Sequence, residues 1–136
     1  MKMNSTAWTI IVAIIVIGGA IGGIFLFDAK NTQGEELIPF AACLKDKGAT
    51  FYGTFWCPHC REQKAIFGKA APSLPYVECS TPDGTAQNEA CNLKEIKKYP
   101  TWEFADGERV EGVLTVEQLA EKTACEIPAP ATPVTE

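Results

Sequence analysis

The sequence predicts a small α/β domain, with a leading helix and then the order β-α-β-α-β-β-α, behind a single N-terminal transmembrane helix. Three observations carry that expectation. Residues 8–27 form an apolar run without a single charge. Between Gly48 and Cys125, short runs rich in aromatic and β-branched residues alternate with helix-start signals, the pattern of a parallel strand pair joined by a crossover helix. Near the end, Asp106-Gly107 lies between two strand-like runs, a signal for an antiparallel hairpin.

The apolar run, Trp8 to Phe27, spans roughly 30 Å as a helix at about 1.5 Å per residue, the thickness of the hydrocarbon core of a bilayer. Lys2 precedes it, whereas Asp28, Glu35 and Glu36 follow with Lys30 as the nearby cation. The positive-inside rule then makes residues 1–7 a cytoplasmic N-terminus, residues 8–27 the anchor and the rest extracytoplasmic. The expected location is the cytoplasmic membrane, single-pass, with the N-terminus inside. A cleaved signal peptide is the alternative. Its apolar region is usually about 7–15 residues and is followed by small residues at the cleavage site, which Phe25-Leu26-Phe27-Asp28 does not offer.

Residues 28–35 read as a polar linker. Leu37, Phe40, Ala41 and Leu44 recur at helical spacing, so residues 36–47 form an amphipathic helix that Gly48 ends. Thr50–Phe55 reads as a strand. A helix runs from Pro58 to about Lys69, with proline at the first helical position, where its fixed φ and missing N–H do no harm. Pro72 and Pro75 precede a second strand, Tyr76–Cys79, and Pro82-Asp83-Gly84 is a turn. Asn88 caps a helix to about Lys98. Thr101–Ala105 and Glu108–Gly112 are the hairpin strands. Thr115-Val116-Glu117-Gln118 is a capping box, opening a last helix with Val116, Leu119 and Ala120 on its apolar side. The folded domain is expected over residues 36–125, and residues 126–136, rich in Pro, Ala and Thr, are an expected disordered tail.

The net charge is −5. All the acidic residues lie from Asp28 onward and no basic stripe accompanies them. Nucleic-acid binding, which needs clustered cations against phosphate, is therefore disfavoured. Six cysteines, at 43, 57, 60, 79, 91 and 125, are many for a domain of this size and point to disulfides in an oxidising compartment. That inference is independent of the apolar span and agrees with it.

Cys57-Pro58-His59-Cys60 directly follows a strand and opens a helix. A helix start carries partial positive charge and unsatisfied N–H groups, so it favours a thiolate. Cysteines in such sites can have pKa values of about 3.5–7.5, against ~8.5 for a free thiol. Cys57 is thus the expected nucleophile, Cys60 the resolving thiol, and Pro58 and His59 the tuning residues. A thiolate attacks a disulfide through a mixed disulfide, which a second thiol then resolves. Two other readings stand beside this one: a structural disulfide, or half of a zinc site. Zinc wants a second close pair of ligands, whereas Cys79 and Cys91 are far apart and His59 is the sole histidine. No metal and no cofactor beyond the disulfide itself are expected.

Phe55-Trp56-Cys57-Pro58-His59-Cys60 resembles the thioredoxin-fold, DsbA-like oxidoreductases. The longer run from Tyr52 to Lys64, then Phe67-Gly68, Tyr76-Val77-Glu78-Cys79, Cys91, Tyr99-Pro100-Thr101-Trp102, Leu119-Ala120 and Cys125, is similar to the thioredoxin-like domain fused to, or partnered with, bacterial and plastid homologues of vitamin K epoxide reductase. The resemblance covers residues 37–125. It implies a thioredoxin fold, a Cys57/Cys60 redox pair, a structural Cys79–Cys91 disulfide and a cis-proline loop, Tyr99-Pro100-Thr101, that docks substrate. It also implies protein thiol or disulfide substrates and a separate vitamin K epoxide reductase-like or DsbB-like membrane partner, because this chain has one apolar span. The chain departs from ordinary thioredoxins at Phe51, which stands where they place a buried acid.

Cys43 and Cys125 lie in a predicted helix and at the end of another, so a second disulfide between them would staple the first and last helices. Two separate buried thiols are the alternative. Three functions remain in view at this stage: an oxidase that donates the Cys57–Cys60 disulfide to secreted proteins, a reductase or isomerase fed from the membrane, and a non-catalytic binding module.

Overall fold

The structure is a computed structural model that describes residues 34–129. The apolar span at residues 8–27, the residues before it, linker positions 28–33 and tail positions 130–136 lie outside the described residues. Among the described residues no helix is long and apolar enough to cross a membrane.

A four-stranded mixed sheet in the order β2-β1-β3-β4 carries the domain. β1 (Thr50–Gly53) pairs in parallel with β2 (Tyr76–Glu78) and antiparallel with β3 (Thr101–Glu103), which pairs antiparallel with β4 (Arg109–Glu111). Four α-helices accompany it among the described residues: α1 (Ile38–Asp46), α2 (Pro58–Phe67), α3 (Glu89–Leu93) and α4 (Val116–Thr123). This mixed α/β arrangement is compatible with a thioredoxin-like fold.

Successive side chains of a strand point to opposite faces, so β1 feeds two cores. Phe51 is fully buried and stacks on Trp102 with ring centroids 5.0 Å apart. It belongs with Phe40 and Leu44 of α1, Phe67 of α2 and Leu119 of α4. Tyr52, on the other face, belongs with Cys79, Cys91 of α3 and Ile96. The apolar positions expected on the first and last helices are thus the ones that meet the sheet. The Thr115–Gln118 capping box forms with both reciprocal hydrogen bonds.

Several boundaries differ from expectation, each for a local reason. The linker ends earlier, because Gly34 is buried at φ +86 against the end of α2, where a Cβ would lie 2.2 Å from Phe67 O. β1 stops at Gly53 rather than Phe55. The Phe55 N–H turns to the Glu78 carboxylate. α2 stops at Phe67, and Gly68–Ser73 continues as a 3₁₀ turn with Pro72 inside it. α3 ends at Leu93 instead of about Lys98, since Glu95 takes φ +54 and Ile96 turns inward. The hairpin is not a two-residue loop: Gly107, at φ +84, donates to the Phe104 carbonyl, and Phe104 donates to that of Glu108. Regular pairing therefore begins only at Glu103–Arg109, the usual behaviour of a loop that needs a left-handed residue at its close.

Two disulfides are present. Cys43–Cys125 joins α1 to the end of α4 across a sequence separation of 82, and Cys79–Cys91 closes a separation of 12. Loop-closure entropy makes the longer link worth about 4–5 kcal/mol and the shorter about 3 kcal/mol. The Cys43→Ala/Cys125→Ala double variant should therefore lose several kcal/mol in urea unfolding, and more than Cys79→Ala/Cys91→Ala. The reverse ranking would contradict this account of the staples.

Candidate active site

β1 delivers its chain to the site and Gly53 ends it there. Thr54-Phe55-Trp56 then forms a tight turn in which the Cys57 N–H donates to the Thr54 carbonyl at 3.3 Å. Cys57 is the N-cap of α2 and Pro58 opens the helix. The sequence folds this way because proline suits the first helical turn and cannot continue the strand. Cys57 Sγ therefore stands where the dipole and free N–H groups of α2 converge.

The turn is held from below by the last residue of β2 and the segment after it. The Glu78 carboxylate accepts from the N–H of Phe55 at 3.3 Å and of Ser80 at 2.9 Å. Trp56 Nε1 donates to Ser80 Oγ at 3.1 Å. The Tyr99–Pro100 peptide bond is cis, and the Tyr99 carbonyl accepts from Cys57 Sγ at 3.7 Å. The Tyr99 ring meets Trp56 edge-on at 6.3 Å, and its hydroxyl accepts from Gln87 Nε2. Thr101, buried on β3, donates to the Lys98 carbonyl. The structure thus gathers Cys57, Pro58, Cys60, Tyr99, Pro100 and Thr101 in one place. His59 lies on the outer side of the first turn, its ring 3.4 Å from Glu62 and its side chain 70% exposed.

The two free cysteines are unequal. Both are buried, but Cys60 lies deeper, at 1% exposure against 6% for Cys57. Burial pushes the Cys60 thiol up from 9.0 to about 12, the neighbouring Cys57 adds to this, and the Thr54 backbone and Lys64 work against it. The folded chain therefore keeps the Cys60 proton at pH values where an unfolded chain has released it. That preference stabilises the reduced fold below about pH 9, and it is lost as pH rises from about 9 toward 12. Urea unfolding of the reduced protein should show a steeper decline over this range than the Cys57–Cys60 disulfide form, in which Cys60 no longer titrates. At pH 8, iodoacetamide should label Cys57 and spare Cys60 until denaturant is added. Equal labelling of the two would contradict the asymmetry.

Gly53 is a site residue with no motif to mark it. A Cβ there would lie 2.8 Å from Cys60 Sγ and 3.0 Å from Tyr76 Cε2. Glycine at the end of β1 is what lets Cys60 approach the sheet. Gly53→Ala should cost about 1–3 kcal/mol by overpacking, measured by denaturation of the reduced protein. An unchanged midpoint would mean that Cys60 does not need this space. Gln63, one turn beyond Cys60, is also fully buried and ties α2 to β3 and to Leu114.

Beside the buried sulfurs the surface is apolar. Phe55 and Trp56 are about half exposed, at 51% and 50%. Next to them lies a shallow cavity of about 160 Å³ whose walls include Thr54, Trp56, Gln87 and Tyr99. The arrangement is simple: one sulfur at the rim, a second sulfur behind it, and an apolar surface beside them.

No family model matches the chain. Over 104 residues, 73% of its length, it is 38% identical to a protein of Arabidopsis thaliana named thiol-disulfide oxidoreductase LTO1. The chain spans about a quarter of that relative, 27% of its length.

Proposed function

We propose that this chain is a membrane-anchored, thioredoxin-fold thiol–disulfide oxidoreductase that acts on protein thiols outside the cytoplasmic membrane. In this reading it donates the Cys57–Cys60 disulfide and is reoxidised by a vitamin K epoxide reductase-like or DsbB-like membrane partner. The observation that carries the reaction class is the unequal pair at the start of α2: a rim sulfur opposite the Tyr99 carbonyl and a deeper one behind it. The matched relative's name supports the same class.

A client thiolate attacks Cys57 Sγ, the Cys57–Cys60 bond breaks, and Cys60 leaves with the electron pair and takes a proton. The second client thiolate then attacks the client sulfur bound to Cys57, forming the client disulfide and releasing Cys57 as thiolate. The client is oxidised by two electrons and the protein pair is reduced. The cis-Pro segment, Tyr99-Pro100-Thr101, docks the client backbone, while Phe55 and Trp56 receive its apolar side chains.

The first turn of α2 supports this direction. A helix start stabilises a thiolate, a stabilised thiolate stabilises the reduced pair, and a stable reduced pair makes the disulfide oxidising. Equilibration with glutathione buffers tests it. A reduction potential toward about −120 mV supports donation, whereas one near about −270 mV overturns it in favour of a reductase supplied with electrons.

A further inference from the structure

In either direction Cys60 must change its proton whenever its bond to Cys57 is made or broken, and it is too deeply buried to exchange that proton with bulk water directly. Phe51, on the strand beneath, is fully buried and apolar. The titratable groups that face Cys60 among the described residues come from two elements. α2 contributes Cys57 and Lys64, and β2 contributes Tyr76, which is bonded to Glu78. The Tyr99 segment offers a carbonyl, and offers it to Cys57.

Tyr76 and Glu78 lie on the side of Cys60 that faces β2. Tyr76 Cε2, the ring atom next to the hydroxyl-bearing carbon, crowds the same point beside Gly53 as Cys60 Sγ. The Tyr76 hydroxyl donates to Glu78 Oε2 at 2.6 Å. Glu78 is itself fixed by the Phe55 and Ser80 N–H groups on its other oxygen. Lys64 Nζ lies over the Tyr76 ring at 3.4 Å, so a positive charge stands beside the path. Burial first, then Glu78, holds the Tyr76 hydroxyl well above the usual tyrosine range, so Tyr76 stays protonated as a bridge.

We propose that Tyr76 and Glu78 carry the proton of Cys60: the Tyr76 hydroxyl takes it from Cys60 Sγ as it passes its own to Glu78 Oε2. The Cys60 thiolate then attacks Cys57 Sγ of a mixed disulfide. The Cys57–Cys60 bond forms, the Cys57–client bond breaks, and the client sulfur leaves with the electron pair. Run backwards, Glu78 returns the proton through Tyr76 to the departing Cys60. Tyr76 is the group at the reacting sulfur, and Glu78 is a positioning residue that acts through it. This inference rests on the proposed exchange reaction.

The test uses the reduced full chain with Ellman's disulfide, followed at stopped-flow times across pH 6–10. Attack by Cys57 releases a first thionitrobenzoate, and attack by Cys60 on the resulting mixed disulfide releases a second. Tyr76→Phe keeps the ring against Phe51 and under Lys64, and Glu78→Gln keeps an acceptor for Phe55 and Ser80. Both should slow the second release by about a hundredfold near pH 7. The first release should stay within about twofold, and the second should recover toward pH 10, where hydroxide replaces the relay. The double variant should be no slower than the single ones, because both act on one path. A Tyr76→Phe protein with the wild-type rate and pH profile in the second release overturns the relay. A wild type that releases one equivalent only overturns the exchange reaction itself, and the relay with it.

Discussion

Replacing Cys57 with serine is expected to abolish disulfide exchange with a client, while replacing Cys60 with serine should stop the reaction half-way and accumulate mixed disulfides on Cys57. The asymmetry follows from the site. Cys57 is the N-cap of α2 with its sulfur at the Tyr99 carbonyl, whereas Cys60 lies behind it against Gly53. A serine hydroxyl at position 57 is a far poorer nucleophile toward sulfur than a thiolate, so nothing attacks. With serine at 60 the attack still proceeds and the resolving step is missing. Non-reducing gels after incubation of each reduced variant with a disulfide-bonded client, which runs the exchange from the thiol side, separate the two results. If Cys57→Ser retained the activity, the domain would be a binding module with an incidental cysteine pair. If Cys60→Ser trapped nothing, the order of attack assigned to the pair would be wrong.

The second large effect is expected at a residue that never touches a substrate. Gln63 is fully buried on the face of α2 shared with Cys60 and Phe67. Its Nε2 donates to the Leu114 carbonyl at 3.0 Å, and its Oε1 accepts from Trp102 Nε1 at 3.1 Å and Leu114 N at 2.8 Å. One side chain thus ties the helix that carries the cysteines to the strand that follows Pro100 and to the approach to α4. Gln63→Leu keeps much of the volume and leaves three buried polar groups unpaired. Each such group costs about 1–3 kcal/mol, so a total loss of about 4 kcal/mol is expected in urea unfolding. That is a large fraction of the stability of a small domain, typically about 5–15 kcal/mol. A loss below about 1 kcal/mol would mean that water or relaxation supplies the missing partners.

The contrast between Cys57 and Gln63 shows what the sequence could disclose. Cysteines with two residues between them, with proline after the first and a strand before, specify a local geometry, since proline suits the first helical turn and ends the strand. The capping box at Thr115 and the apolar face of Phe40, Ala41 and Leu44 are local in the same way. Gln63 depends on Trp102 and Leu114, which are 39 and 51 residues away. From periodicity it reads only as a polar interruption of a buried stripe. Gly53 is likewise unmarked, because its requirement comes from a sulfur on the next element and a ring on the neighbouring strand. The early end of α3 escaped because Glu95 takes a left-handed conformation with no glycine to announce it. The hairpin expected at Asp106-Gly107 forms, but its loop is longer than two residues. The glycine is left-handed as its type suggests, but it closes a longer loop. Tyr76 and Glu78 read from the sequence as members of a strand and of one stretch that carries the resemblance, with no role of their own. Their alignment toward the active turn comes from β2 pairing in parallel with β1.

The account stands most directly on a redox titration of the oxidised chain through a glutathione series, followed by alkylation and peptide mass mapping. The expected result is one two-electron transition confined to Cys57 and Cys60, with Cys43–Cys125 and Cys79–Cys91 still joined at its midpoint. A chain in which Cys57 and Cys60 remain thiols at every buffer ratio, or in which either other pair opens first, would contradict it.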